Sequence, residues 1–208
     1  ISGGHTQVVR VESFERMEIL ATSMDDSVGE SFDKCAKMMG LGYPGGPLIE
    51  ALAHAGDENR FHLPVPLRNS PLIAFSLSGL KNAVRLVVES CGGSDKMTVQ
   101  DKADLSASFQ KAVMLHLLQK SKKIFAKEPI KDFAIVGGAS ANKYIRKAYE
   151  DLCKEFGKTL HVAPLEYCSD NAAMIGRYAI EAYREKCFID ANKIDIVSTK
   201  KQQSGMLL

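Results

Sequence analysis

The stretch that decides the fold is residues 131–163, which read KDFAIVGGASANKYIRKAYEDLCKEFGKTLHVA. Phe133 to Val136 form an apolar run with the length of a buried strand, and Gly137 and Gly138 follow directly. Apolar residues then recur at helical spacing as far as Gly157, and residues 160–163 have the pattern of a second strand. This order of strand, glycine turn, helix and strand predicts two parallel neighbouring strands.

The glycine turn at the centre of this unit has two interpretations. Residues without side chains let a ligand approach the backbone, and the helix start behind them offers free N–H groups and a positive dipole end to an anion. Many strand-to-helix turns, however, use glycine only for its backbone geometry. The segment alone favours neither interpretation.

Composition limits the class of protein. The chain has 208 residues, 45% hydrophobic and 25% charged, with a net charge of +2, which is typical of one large or two small soluble domains without a gross bias toward nucleic acid. We find no run long enough to span a membrane and no signal peptide. Five cysteines, irregularly spaced and without a CxxC motif, favour reduced thiols in a cytoplasmic protein.

The first residues suggest that something precedes them. Ile1 leads directly into Ser2, Gly3 and Gly4 without an initiator methionine. A glycine-rich turn normally follows a strand, so we expect a fragment or processed product whose N-terminal portion is absent.

An acidic segment, DDSVGESFDK at residues 25–34, opens a predicted helix, in which aspartate at the start would satisfy free N–H groups and suit the helix dipole. Asp26, Glu30 and Asp33 share one stripe of that helix. The stripe is either a solvated acidic face, with Glu30–Lys34 and Asp33–Lys37 pairs, or an acidic wall for ribose hydroxyls or a cationic group.

The remaining patterns predict further strands and helices. In chain order they are a hairpin over 7–11 and 17–22, a helix over 48–55, a strand over 72–77, a helix over 78–88, one or two helices over 99–127, and a helix to about residue 185 capped by Ser169 or Asp170. On the helix that starts at 78, Ser78, Lys81 and Arg85 form either a phosphate or RNA-backbone contact or a serine cap followed by solvated cations.

Five segments, taken together and in order, resemble one family. They are SGGHT (2–6), DDSVGESFDKCAKMMGLGYPGGP (25–47), FSLSGLK (75–81) with VGGASANKYIR (136–146), and CSDNAAMIG (168–176). They resemble the bacterial threonylcarbamoyl-adenosine tRNA transferases, once labelled O-sialoglycoprotein endopeptidases or glycoproteases. The likeness spans nearly the whole chain.

The resemblance implies a fold and a domain organisation. The fold is α/β, with actin-like ATPase or sugar-kinase-like (ribonuclease H-like) lobes of mixed sheet and flanking helices, the N-terminal lobe being incomplete. Residues 1–70 would be the remainder of that lobe, residues 71–190 the C-terminal lobe, and residues 191–208 a loose tail.

The resemblance also implies an activity and partners. The family transfers a threonylcarbamoyl group from threonylcarbamoyl-AMP to the exocyclic amine of the tRNA adenosine beside the anticodon. Its partners are tRNA, the small adenylate substrate, a related paralogue subunit and a P-loop ATPase, in the cytoplasm and without a membrane.

Site residues carry over from the matching motifs. The residues that would bind the nucleotide or substrate are Ile1, Ser2, Gly3, Gly4, Asp33, Gly46 and Asn142. The first four would contact the phosphate or acyl group, Asp33 would bind the ribose, and Gly46 would line the pocket. Asp170 would be a ligand of one iron or zinc ion per intact subunit, and threonylcarbamoyl-AMP or ATP would be the adenine nucleotide.

The chain departs from the family pattern at the metal. The family's other two metal ligands are a histidine pair spaced four apart upstream of SGGHT, and neither this pair nor the family's N-terminal catalytic aspartate is present; His54 and His62 are not so spaced. Since one carboxylate does not make a transition-metal site, we predict that this chain alone binds metal weakly or not at all and lacks activity. The catalytic residues remain unassigned.

Two other functions compete with the transferase. A non-catalytic nucleotide-binding scaffold, like the inactive paralogues, would not need Asp33, Asn142 and Asp170 together. A metal-dependent glycoprotease, the old label of the family, is disfavoured because the sequence shows no pattern of a Ser–His–Asp triad and no HExxH motif.

Overall fold

The computed structural model describes residues 1–14 and 16–194 as four short strands and a set of helices. The strands are β1 (Gln7–Val11), β2 (Met17–Thr22), β3 (Asp132–Ile135) and β4 (Thr159–Val162). The α-helices are α1 (Val28–Met38), α2 (Gly45–Ala53), α3 (Ser78–Ser90), α4 (Val99–Phe125), α5 (Lys143–Glu155) and α6 (Ala172–Arg184). Short 3₁₀ turns cover Gly138–Ala141, Leu165–Tyr167 and Ala191–Lys193. The predicted α/β class, with small sheets and flanking helices, is confirmed.

Two strand pairs give the fold its frame. Strands β1 and β2 form the predicted antiparallel hairpin, with Gln7 opposite Thr22 and an irregularity between Val8 and Val9. Strands β3 and β4 pair in parallel, with Asp132 opposite Thr159, and α5 connects them. The parallel pair predicted from residues 131–163 is therefore confirmed.

Helix α4 is the centre of the core. Its 27 residues run unbroken from a capping box between Thr98 and Asp101, which decides between one helix and two. Phe109 is fully buried and meets Phe32 of α1 edge-on, with ring centroids 5.0 Å apart. Helix α2 packs along α4 and α1, so the first glycine turn and the α1–α2 region rest on a rigid base.

The predicted strand over residues 72–77 is wrong. The segment makes a single parallel bridge, between Ser23 and Phe75. Side chains of α4 take the backbone groups that a neighbouring strand would use: the amide of Ser76 donates to Nε2 of His116 (3.1 Å), and Lys120 donates to the carbonyl oxygen of Leu72 (2.9 Å). The segment therefore has the apolar pattern of a strand, but its backbone is irregular and is held by side chains of α4.

Three predicted helix starts also need correction. Helix α1 is capped by Ser27, in a capping box with Glu30, rather than by an aspartate. Helix α6 is capped by Asn171, whose side chain accepts from the amide of Met174, so neither Ser169 nor Asp170 is the cap. Helix α2 begins at Gly45, three residues before the predicted start. For α1 and α6, the polar side chain next to the predicted residue fits the free N–H groups, whereas the first amide of α2 donates to Asp33 of α1.

Within residues 1–14 and 16–194, we find no helix with the length and apolar character needed to cross a membrane. Of the predicted loose tail, residues 191–193 form a 3₁₀ turn and residues 195–208 lie outside the described part of the chain. The division into lobes at residue 70 stays a prediction.

Candidate functional site

One cleft of about 640 Å³ brings together segments that are far apart in sequence. It lies among the turn at residues 2–4, the α1–α2 region, the turn at residues 137–142 and the loop before α6. The predicted site residues that line it are Ser2, Gly3, Gly4, Asp33, Gly46, Asn142 and Asp170. Ile1 is the exception, since it lines a separate cavity of about 560 Å³ between β1 and β3.

The two glycine turns are hydrogen-bonded to each other at Ile1. Its backbone nitrogen donates to the carbonyl oxygen of Val136 (2.8 Å), and its carbonyl oxygen accepts from the amide of Ala139 (3.2 Å). Gly137 has a φ of 90°, and a Cβ at this position would lie 2.5 Å from the Ile1 carbonyl oxygen. Gly137 therefore serves the close approach of the two turns, which is the geometric interpretation.

Only part of the backbone in these turns is open to a ligand. In the first turn, Oγ of Ser2 accepts from the amides of Gly4 (3.3 Å) and His5 (3.0 Å). The amides of Gly3, Gly46 and Gly138 have no hydrogen-bond partner in the described part of the chain. The amides of Gly3, Gly46 and Gly138 are therefore among the backbone donors that remain in the lining of the cleft.

The backbone amides at the start of α1 are not open to a ligand. The hydroxyl oxygen of Thr6 accepts from the amide of Val28 (2.8 Å), and the carbonyl oxygen of Ser2 accepts from the amide of Gly29 (3.0 Å). The first turn of this helix is thus satisfied by the protein itself. An anion in the cleft would meet the glycine amides and not the α1 terminus.

Asp33 has one oxygen in use and one available. Its Oδ1 accepts from the amide of Gly45 (2.7 Å), which holds the first residue of α2, while Oδ2 has no partner among the described residues. The predicted pair with Lys37 does not form, whereas Glu30 does pair with Lys34 at 2.8 Å. Asp33 therefore combines a structural contact with an acceptor that faces the cleft.

The rest of the acidic stripe is paired. Asp26 accepts from Lys34 (2.8 Å) and from Lys81. Partial burial raises the pKa of Asp26, but the hydrogen bonds from the two lysines outweigh it and the pKa is lowered. Asp26 therefore links α1 to α3 through its ion pairs with Lys34 and Lys81.

The phosphate or RNA-backbone contact suggested for α3 would need unpaired cations, but Lys81 and Arg85 are both paired. Lys81 is bound to Asp26, and Arg85 pairs with Glu89. Ser78 does not cap the helix, because its hydroxyl donates to Asp25 (2.8 Å). Both interpretations of this face, the phosphate contact and the serine cap with solvated cations, give way to carboxylate pairing.

Both ends of the Asn142 side-chain amide are hydrogen-bonded within the protein. Its Oδ1 accepts from the amide of Ile145 (2.9 Å), which caps α5, and its Nδ2 donates to Oε1 of Gln110 (2.7 Å). With 8% of its surface exposed, Asn142 is mainly a buried link between α5 and α4. Its predicted contact with a nucleotide stays a prediction, and it would use the second N–H of Nδ2 or the second lone pair of Oδ1.

Asp170 is exposed and has no hydrogen-bond or ion-pair partner within the described residues. In that same part of the chain, no three His, Cys, Asp or Glu side chains are grouped closely enough to hold a metal ion. The nearby thiol of Cys168 faces the guanidinium of Arg146, with Nη2 3.1 Å from Sγ. A single carboxylate does not complete an iron or zinc site, so the predicted metal does not fit the described residues.

The cleft contains residues that sequence reasoning did not single out. Glu50, four residues after Gly46 on α2, lines it and accepts from the amide of Lys143 (2.7 Å). Tyr43 lines it with 84% of its surface exposed. Helical i, i+4 spacing from Gly46 could have suggested Glu50, whereas nothing local distinguishes Tyr43 from an ordinary turn residue.

The chain has a mixed α/β fold in which two glycine turns and several carboxylates line one cleft. The family model for the tRNA N6-adenosine threonylcarbamoyltransferases (TsaD) matches residues 1–177, and the chain belongs to that family. The resemblance stated from the motifs is confirmed.

Curated relatives carry the same name. The chain is 84% identical, over its whole length, to the tRNA N6-adenosine threonylcarbamoyltransferase of Sulfurovum sp. (strain NBC37-1), covering 62% of that protein. It is 56% identical over 94% of its length to the corresponding protein of Sulfurimonas denitrificans, covering 58% of it, and 52% identical to that of Helicobacter pylori (strain J99). The chain thus spans about three fifths of the length of these relatives.

Proposed function

We propose that this chain supplies the adenylate-binding cleft of a tRNA N6-adenosine threonylcarbamoyltransferase. The substrate would be threonylcarbamoyl-AMP, and the acceptor the exocyclic amine of the tRNA adenosine beside the anticodon. Family membership and the names of the relatives support the reaction class. The cytoplasmic location, the paralogue subunit and the P-loop ATPase partner stay predictions of the resemblance.

The reaction is an acyl transfer. The adenosine amine attacks the carbamoyl carbon, an N–C bond forms, and the C–O bond to the phosphate breaks. AMP leaves with the bonding electron pair, and the amine loses a proton to a base that is not assigned among the described residues. Binding and orienting the adenylate is the part that this cleft can perform.

One observation supports the proposal most strongly: residues from four distant segments line a single cleft that keeps open amides and an open carboxylate oxygen. The amides of Gly3, Gly46 and Gly138 suit an anionic phosphate, since backbone N–H groups bind anions without a conformational cost. The free oxygen of Asp33 suits a ribose hydroxyl, which donates to carboxylates. We assign no metal-dependent step, because Asp170 alone does not make a metal site.

Two matched glycines test the cleft. Gly46 and Gly79 each occupy the second position of a helix, and a Cβ at either would meet nothing within 4 Å. Gly→Ala should raise stability by about 0.4–1 kcal/mol at both positions. Only Gly46 lines the cleft. We therefore expect Gly46→Ala to weaken AMP binding, measured by titration calorimetry, and Gly79→Ala to leave it unchanged.

Equal AMP affinity in both variants would refute the assignment of the nucleotide to this cleft. The reaction itself is tested by transfer of labelled threonylcarbamoyl to an ANN-decoding tRNA. We expect transfer by the Sulfurovum relative, supplied with its partner proteins, and none by this 208-residue chain alone. Absence of transfer by the relative would contradict the transferase and favour the scaffold.

A further inference from the structure

The loop that carries Asp170 is attached to the rest of the protein at one buried residue. Between residues 154 and 194, all of which the structure describes, Cys168 is the one buried position. Helix α6, which follows the loop, buries none of its residues. Tyr178 of α6 also meets Phe14, with ring centroids 5.0 Å apart, but Cys168 is the buried attachment next to Asp170. The location of Asp170, two residues after Cys168, therefore depends mainly on what holds this thiol.

The guanidinium of Arg146 holds it. Nη2 of Arg146 donates to Sγ of Cys168 (3.1 Å) and to the carbonyl oxygen of Ala163 (2.8 Å), and Nε donates to the carbonyl oxygen of Ser140 (2.5 Å). Oγ of Ser140 also lies 3.6 Å from the same sulfur. One side chain therefore joins the second glycine turn, the end of β4 and the loop before α6.

Arg146 has no carboxylate partner among the described residues, although most other arginines do. Its planar fork reaches acceptors in three segments at once, which the single ammonium of a lysine cannot do. The arrangement is that of a bracket between backbone segments rather than a surface ion pair.

We propose that Arg146 and Cys168 are positioning residues that keep the carboxylate of Asp170 in the wall of the cleft. The role of this bracket in ligand binding rests on the proposed adenylate site, whereas the hydrogen bonds that attach the loop do not depend on it. Without the bracket, the loop keeps only the long contact between Oγ of Ser140 and Sγ of Cys168, and α6 keeps the contact of Tyr178 with Phe14. Neither contact fixes Asp170 relative to Gly138.

Hydrogen exchange measures the attachment without reference to function. In Arg146→Met, amides of residues 165–176 should exchange about tenfold faster or more, because hydrogen bonds from charged donors are lost. Amides of α1 and α4 should be unchanged. Cys168→Ala, which removes only the thiol, should act in the same direction. Arg85→Met is the control and should leave the loop unchanged, because Arg85 pairs only on the surface of α3. Unchanged exchange in both loop variants would overturn the proposal.

Charge repulsion measures the location of Asp170. With metal removed by EDTA, an unpaired carboxylate in the cleft wall repels the phosphate of AMP, so Asp170→Asn should tighten AMP binding by about twofold to fivefold. In the Arg146→Met background the same substitution should have no effect, since the loop has moved. A merely structural role for Arg146 predicts the same gain in both backgrounds, and that result, or no gain in the native background, would overturn the proposal. If AMP does not bind the unaltered chain, the proposed function fails, and the exchange experiment still decides the attachment.

Discussion

Replacing Asp33 separates its two contacts. Its Oδ1 accepts from the amide of Gly45 at 2.7 Å, and its Oδ2 is available to the cleft. Asp33→Asn keeps an acceptor oxygen for Gly45 but removes the negative charge and the second carboxylate oxygen. Asp33→Ala removes both contacts. The two variants should therefore differ in stability and agree in ligand binding.

The magnitudes follow from the kind of hydrogen bond at each oxygen. Losing the side-chain acceptor at the start of α2 costs about 0.5–2 kcal/mol of unfolding free energy, so Asp33→Ala should be less stable by that amount and Asp33→Asn nearly unchanged. A ribose hydroxyl bound to a carboxylate contributes about 1.5–3 kcal/mol, or roughly 10- to 100-fold in affinity. Both variants should lose AMP affinity in this range.

The assay compares AMP with 2′,3′-dideoxy-AMP by titration calorimetry, alongside urea denaturation of each variant. Native protein should bind AMP more tightly than the dideoxy compound, and Asp33→Asn should bind the two about equally. If Asp33→Asn binds AMP as the native protein does, the ribose assignment is refuted. Equal losses for both ligands would instead indicate that the cleft has been distorted.

Three further predictions concern stability and metal. Burial lowers the pKa of His116 to about 4, so the unfolded state binds more protons below its ordinary pKa. The free energy of unfolding should therefore fall by up to about 3 kcal/mol as the pH is lowered from about 6.5 to 4. Urea denaturation of His116→Gln should show that most of this pH dependence is removed. A pH profile of stability that is the same in His116→Gln as in the native protein would contradict this prediction. Gly45→Ala should destabilise the protein by about 1–3 kcal/mol in thermal melts, because its Cβ would lie 2.6 Å from that of Ala36. An unchanged melting temperature would show that α1 and α2 move apart without cost. Metal analysis of the purified chain should find no stoichiometric tight iron or zinc, whereas tight binding would mean that Asp170 has partners not foreseen.

Local patterns predicted the parts of the fold that local forces decide. Strand β3, helix α5 and strand β4 follow from apolar runs bounded by glycines, and Gly157, with a φ of 62°, ends α5 as predicted. The segment 72–77 is not a strand because the amide of Ser76 and the carbonyl oxygen of Leu72 bond to side chains of α4, 40 and 48 residues further along the chain. No local pattern carries that information.

The same distinction applies to the site. The motifs identify many of the residues that meet in the cleft, because glycine turns and short acidic segments are recognisable in sequence, but they include Ile1, which lies outside it, and miss Glu50 and Tyr43. They do not reveal how each side chain is used. Asn142 is engaged by Gln110, 32 residues away, and Asp33 by the amide of Gly45. These partners follow from the packing of α2 and α5 on α4, which is a tertiary property.

A crystal structure of the chain with AMP tests the central claim most directly. We expect the phosphate to lie within hydrogen-bond distance of at least one of the free amides of Gly3, Gly46 and Gly138, and the ribose to contact Oδ2 of Asp33. AMP bound elsewhere, such as in the cavity between β1 and β3, with the cleft empty, would contradict the account.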